Sequence, residues 1–145
     1  MIHQSLNLIT PYPLNNPYLE SLGFVIHDWA DSRIDLRFRP GAQHGNRSGF
    51  MNGGLIATML DASCGYAGLF SSIPDTLRHS LTISLSINYV APAPLHQTLR
   101  AIAEVTSDKK MTYFSSARLL AEDNILLATA QGAFRRKSTD GISAR

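Results

Sequence analysis

The sequence predicts an α+β domain in which one antiparallel sheet of about six strands curves around a single long helix. Three observations lead there. Residues 55–70 are apolar or small on nearly every side, and a helix of that kind is buried rather than amphipathic. Two strand-like runs precede it and four follow, with no second long helix to share its burial. The turns between the last four runs are too short for parallel crossovers, so those strands pair antiparallel.

The elements follow in order. Residues 1–15 contain Pro11 and Pro13 and read as an irregular lead. Asn16-Pro17 is an N-cap followed by proline at the first helical position, and Gly23 stops the helix, which gives a short helix over 17–22. A strand is expected over 24–29. In the next, Ile34, Leu36 and Phe38 alternate with Arg33, Asp35, Arg37 and Arg39, so one face is buried and the other is wet. Pro40-Gly41 ends that strand, and the polar, glycine-bearing loop to Asn52 has the length of functional loops.

Gly53-Gly54 opens the central helix. Its internal glycines cost about 1 kcal/mol each relative to alanine, so close packing must compensate. Beyond Pro74, Leu81, Ile83, Leu85, Ile87 and Tyr89 alternate strictly with Ser80, Thr82, Ser84, Ser86 and Asn88. The serine-rich face of that strand is expected to meet solvent or a second dimer. Strands over 97–107, 111–122 and 125–136 follow, separated by Asp108-Lys109-Lys110 and Glu122-Asp123-Asn124. One domain over 16–137 and a polar tail over 138–145 complete the chain.

Composition narrows the function. A formal charge of +2 and the lack of a basic run interleaved with aromatics argue against nucleic acid. Arg135-Arg136-Lys137 reads as a solvated strand end. The N-terminal residues lack the basic flank and apolar run of a signal peptide. The apolar stretch 55–70 is interrupted by Asp61 and falls short of the ~20 residues a membrane span needs. The single cysteine, Cys64, fits a reducing compartment. A cytoplasmic protein without membrane contact is expected. His27, His79 and His96 show no ligand spacing, so no metal is expected. Neither a P-loop nor a dinucleotide fingerprint is present, and Ser63 lacks the elbow of a serine hydrolase.

What stands out is Asp61, the only charged residue between Arg47 and Asp75. A lone carboxylate in an apolar helix is costly to bury, and work as a general base or nucleophile would explain it. Seven positions earlier, Gly54 sits at the helix start, where free N–H groups and the positive dipole end suit a developing oxyanion. At ~1.5 Å per residue the two lie about 10 Å apart along the axis. One reacting carbonyl cannot meet both. Two such helices side by side and antiparallel would bring Gly54 of one subunit to Asp61 of the other, twice by symmetry. A homodimer is therefore expected, with a dimer of dimers left open.

The same residues carry a resemblance. The run His44, Asn46, Gly49, Asn52, Gly53, Gly54, followed by Leu60-Asp61 on the helix, resembles the PaaI-type hotdog-fold acyl-CoA thioesterases, whose pattern is H-x-N-x-x-G-x-x-H-G-G with an aspartate on the helix. The likeness continues through Thr82 and INYVAPAPL to the closing strand ATAQGAFR, and spans about residues 20–136. It implies a hotdog fold and hydrolysis of an acyl-CoA thioester at a dimer interface, with coenzyme A entering as part of the substrate and no cofactor. Asp61 would activate water or attack the acyl carbon. The Gly54 amide would hold the thioester oxygen, Asn46 would orient water or thioester, and Thr82 would set a hydroxyl beside the carboxylate. His44, Asn52 and Gly53 fall in the substrate loop.

One departure bears on that implication. The family has histidine where this chain has Asn52, which caps a helix and donates a hydrogen bond but carries no proton. A non-catalytic acyl-thioester binder is therefore the alternative. A hotdog dehydratase ranks below both, since no second acid-base group pairs with Asp61. Lys109 and Lys110 sit on a turn and are open to either a CoA-phosphate contact or plain solvation. Cys64, three positions from Asp61, reads as a small core residue. Phe50, Met51, Met59 and Phe70 are candidates for an acyl pocket.

Overall fold

The computed structural model describes residues 12–73 and 77–137. The start of the expected lead, Pro74 and the expected polar tail lie outside the described residues. After α1 (Pro17–Leu22) come β1 (Val25–Ala30), β2 (Arg33–Phe38) and a short 3-10 turn (Ala42–His44). The central helix α2 (Gly53–Ala67) follows, then β3 (Ser80–Tyr89), β4 (Leu99–Asp108), β5 (Thr112–Leu120) and β6 (Leu126–Arg136). The strands form one antiparallel sheet in the order β1-β2-β4-β5-β6-β3, with α2 packed against β2 through β6. This is the predicted α+β arrangement, a hotdog fold. No helix of the described residues is long and apolar enough to cross a membrane.

The local rules hold at α1. Asn16 Oδ1 accepts from the Leu19 N–H at 3.1 Å, Pro17 takes the first position, and Gly23 closes the helix with φ of 91°. On β2, Ile34, Leu36 and Phe38 are buried, while Asp35 and Arg37 pair at 3.2 Å on the other face. Ile56, Met59, Leu60 and Cys64 of α2 are buried in one core with Ile34, Leu36, Leu99, Leu119 and Phe134 of the sheet.

The close packing expected of the α2 glycines is found at Gly68, the C-cap of the helix, while Gly65 is in ordinary contact with the sheet. A Cβ on Gly68 would lie 2.2 Å from the Tyr113 ring, and one on Gly65 would touch Phe134 at 3.5 Å. Tyr113 stacks on Phe134 with centroids 5.4 Å apart. Its hydroxyl donates to the Gly65 carbonyl at 2.6 Å and meets Ser80 Oγ at 2.9 Å. One buried phenol thus joins α2 to the start of β3.

Two expectations need correction. The strict alternation of β3 is broken: Thr82 pairs with Phe134 and Ser84 with Ala133, so Ile83 is an extra residue in a β-bulge. Before the bulge Ser80 and Thr82 face α2. After it Leu85 and Ile87 pack on the core and Tyr89 reaches back to Gly53. The apolar and polar faces swap sides at Ile83.

Nor is Arg136 a solvated strand end like its exposed neighbours Arg135 and Lys137. It closes the C-terminal end of α2, donating to the Gly68 carbonyl from Nε at 3.0 Å and from Nη2 at 2.8 Å. It also lies 4.4 Å over the Tyr113 ring and pairs with Asp108 at 2.8 Å.

The Arg136 hydrogen bonds pull the Asp108 carboxyl down from 3.8 to about 2, aided by the Lys110 N–H and against some desolvation. A depressed carboxyl stabilises the fold above its unfolded value and loses that contribution as pH falls through the folded one. Asp108 is partly exposed, so the contribution is under ~1 kcal/mol. The urea midpoints of wild type and Asp108→Asn will therefore differ modestly at neutral pH and converge as pH falls from 3.8 to about 2.

Candidate active site

The loop that enters α2 and the carboxylate in mid-helix, expected to lie too far apart in one chain to meet a single carbonyl, form two separate groups. The first is the loop that enters α2. Its backbone is tied by Asn46 N–H to the Phe50 carbonyl at 2.7 Å and by Asn52 N–H to the His44 carbonyl at 2.8 Å. Asn46 Oδ1 accepts from the N–H groups of Ser48 at 2.9 Å and Phe50 at 3.2 Å. Its carbonyl is spent holding the turn, which leaves the Nδ2 amide as the group it can offer. His44 Nδ1 accepts from the Gly41 N–H at 2.9 Å, and the ring packs on Phe38. That bond puts the proton of a neutral ring on Nε2.

Asn52 is the N-cap of α2. Its Oδ1 accepts from the Gly54 N–H at 2.8 Å. The amide expected to receive an oxyanion is therefore already occupied. The neighbouring Gly53 N–H has no hydrogen-bond partner among the described residues. Tyr89 holds the Gly53 carbonyl through its hydroxyl at 2.8 Å. The signal for this was in the sequence, since an N-cap side chain bonds the second or third helical N–H and leaves the first one free.

The second group lies mid-helix. Asp61 Oδ1 accepts from Thr82 Oγ1 at 2.7 Å, across the gap between α2 and the upstream half of β3. Both residues open onto a cavity of about 950 Å³ lined by α1, the second half of α2 and the start of β3. Its walls include Trp29, Ala62, Gly65, Tyr66 and Phe70. None of His44, Asn46, Asn52, Gly53, Gly54, Lys109 and Lys110 lines it.

Of the four residues expected in an acyl pocket, Phe70 alone lines this cavity. Met51 and Met59 are buried in the core and Phe50 is part of the loop bridge to Pro94. Lys109 and Lys110 are exposed on the β4–β5 turn, where the Lys110 N–H bonds Asp108 and its carbonyl bonds Arg136. Among the described residues no three His, Cys, Asp or Glu side chains converge as a metal-binding set.

A sequence profile described as the thioesterase superfamily matches residues 48–128, more than half of the chain, from the end of the loop through Asn52, Gly53, Asp61 and Thr82. The chain belongs to the thioesterase superfamily. A Pseudomonas aeruginosa protein named as a proposed esterase is 30% identical over 121 residues, which cover 83% of this thioesterase-superfamily chain and 88% of that protein. The Xenopus laevis acyl-coenzyme A thioesterase THEM4 is 26% identical over 113 residues. That match covers 76% of this chain and 49% of THEM4, so the chain spans about half that relative's length. Among solved structures, the E. coli PaaI protein from the phenylacetic acid degradation operon superposes with a TM-score of 0.75. The superposition covers 86% of each chain at 18% identity and speaks to the fold.

Cys64, one turn beyond Asp61, is fully buried, and burial with the adjacent Asp61 charge pushes its thiol up to about 12. It is a protonated core residue at neutral pH, as expected. The folded protein will therefore resist iodoacetamide at pH 8 over hours, and will take up one label per chain once unfolded in guanidinium, as read by mass spectrometry.

Proposed function

We propose that this thioesterase-superfamily protein hydrolyses an acyl-CoA thioester at a site shared by two subunits. The observation that carries the reading is Asp61, held at 2.7 Å by Thr82 at the mouth of the cavity. One carboxylate oxygen takes the Thr82 hydroxyl, and the other is left to work on a water or the acyl carbon. The acyl-CoA substrate is supported by the name of the THEM4 relative.

The free Gly53 amide is the oxyanion donor, replacing Gly54 in that role. Gly53 precedes Asp61 by eight positions, about 12 Å along the helix, so the donor at the reacting carbonyl is the partner's. Two features support a dimer that brings them together. The face of α2 carrying Gly54, Ala57, Thr58 and Asp61 is only partly covered by its own chain. Beside it, β3 presents a ten-residue free edge with Leu81 and Ile83 more than half exposed. Long apolar edges of this kind are pairing templates. The other edge strand, β1, is shorter, bulged and carries His27 and Asp28. Pairing of β3 edges sets the two α2 helices side by side.

In the reaction, Asp61 takes a proton from water as the water oxygen adds to the thioester carbon. The carbonyl oxygen becomes negative against the partner's Gly53 amide, with the Asn46 amide beside it. Collapse breaks the carbon–sulfur bond, and the proton held by Asp61 passes to the departing CoA thiolate. Direct attack by Asp61 gives a mixed anhydride that water then cleaves, with the same products. Asn52 supplies the helix cap in either route and carries no proton. It is also why a binder without turnover stands as the second reading.

Asp61→Asn will lower kcat by at least about a hundredfold while acyl-CoA binding, measured by calorimetry, is kept. Hydrolysis of no member of a broad acyl- and aryl-CoA panel by wild type would establish the binder instead. Gly53→Pro removes the free amide at a position proline tolerates, after an Asn52 already extended at ψ of 133°. It will cost about 10²–10³ in kcat. Equal amounts of the two inactive variants, refolded together, will recover about a quarter of wild-type activity, because half the dimers are mixed and each mixed dimer holds one intact site. No recovery would place both groups in one subunit.

A further inference from the structure

The cavity beside Asp61 is far larger than catalysis at a thioester requires. Its volume of about 950 Å³ sits at the top of the roughly 300–1,000 Å³ range of sites that enclose drug-sized ligands. Its far wall, toward the C-terminal end of α2, is built of aromatic rings. Trp29 meets Tyr12, Tyr66 and Phe70 edge-on, with centroids 6.3, 5.7 and 5.8 Å apart. The polar atoms of the two central rings are already engaged. Trp29 Nε1 donates to the Tyr66 carbonyl at 2.9 Å, and the Tyr66 hydroxyl donates to the Leu14 carbonyl at 2.7 Å. What they offer a guest is hydrocarbon surface.

Between Asp61 and that wall run Ala62, Gly65 and Tyr66 of α2, with Leu69 just beyond the end of the helix, along the cavity floor. From Asp61 to Tyr66 the helix covers about 7.5 Å at the helical rise, and Leu69 lies beyond it, well past the reach of an acetyl group. The two residues nearest Asp61 have almost no side chain, so the floor stays clear where an acyl group would enter. Gly65 has room for a Cβ, with Phe134 at 3.5 Å and Ser80 Oγ at 3.9 Å, so sterics at that Cβ do not by themselves demand glycine.

We propose that this cavity seats the acyl group within the subunit that supplies Asp61, and that it selects large apolar acyl groups over short ones. Ala62 and Gly65 set the depth of entry. The inference rests on the thioesterase reading above, and it assigns the substrate class that reading leaves open. Trp29 provides a direct probe, because it is the chain's only tryptophan and its emission belongs to the cavity wall alone.

The test uses the full-length protein and two ligands it cannot hydrolyse, coenzyme A and its S-dodecyl thioether. S-dodecyl-CoA is expected to shift Trp29 emission saturably, and coenzyme A is expected to leave it in place. Ala62→Leu, which fills the floor, is expected to weaken S-dodecyl-CoA binding by about tenfold or more relative to CoA. It is also expected to lower the ratio of kcat/KM for dodecanoyl-CoA over acetyl-CoA by a similar factor.

An unmoved Trp29 with S-dodecyl-CoA overturns the proposal, as does a wild-type preference for acetyl-CoA. The fluorescence arm on wild type needs no variant to fold. A wild type that hydrolyses thioesters without a Trp29 response sinks the cavity assignment alone. A Trp29 response without hydrolysis supports the cavity and sinks the catalytic reading.

Discussion

A helix with apolar or small residues on nearly every side can persist only if a sheet takes up most of its surface, and α2 lies against β2 through β6. The rest of the molecule is arranged around that burial. Tyr113 fills the space that Gly68 leaves open, Phe134 lies against Gly65, and Arg136 closes the carbonyl end of the helix. These contacts fix α2 against β5 through Tyr113 and against β6 through Phe134 and Arg136. The helix cannot slide or rotate without breaking a buried hydrogen bond or driving a backbone into a ring.

A core helix held this rigidly is a poor place for a carboxylate unless a polar partner reaches it. The partner comes from β3, and it arrives through an irregularity. The bulge at Ile83 lets Ser80 and Thr82 face the helix upstream while Leu85, Ile87 and Tyr89 face it downstream. The same strand can therefore bond Asp61 at one point, pack the core further on, and hold Gly53 at its end. Without the extra residue, facing Thr82 to Asp61 would turn the leucine and isoleucine of the second half away from the core.

The two ends of the chemistry are separated by the geometry of a single helix. The loop before α2 spends its side chains on its own turn, with Asn46 and His44 stapling the backbone and Asn52 capping the helix. What it has left to offer is the backbone amide of Gly53 and the side-chain amide of Asn46. The middle of the helix offers the carboxylate and the cavity. A rigid rod keeps these two resources apart in one chain. The dimer proposed above would reunite them through a second copy of the rod running the other way, and would give the free edge of β3 and the thinly covered face of α2 a common purpose.

Much of this was legible along the chain. Asn16-Pro17 and Gly23 bound α1 through contacts within a few residues, and Ile34, Leu36 and Phe38 declared the buried face of β2 by alternation alone. Asp61 was visible as a carboxylate out of keeping with its surroundings, and Thr82 was singled out by the family resemblance alone. How β3 serves both Asp61 and the core was not legible, because its side-chain period fails at Ile83 and only the pairing with β6 shows where. Arg136 looked like one more charge at a strand end until Gly68 and Asp108, from other elements, came beside it. The cavity is likewise a meeting of Tyr12, Trp29, Tyr66 and Phe70 from three parts of the chain. Capping, alternation and helix burial are determined by neighbours in sequence, so the sequence by itself determined the elements and the residue types of the site. Register and enclosed space rest on partners distant in the chain, and only the tertiary structure decided those.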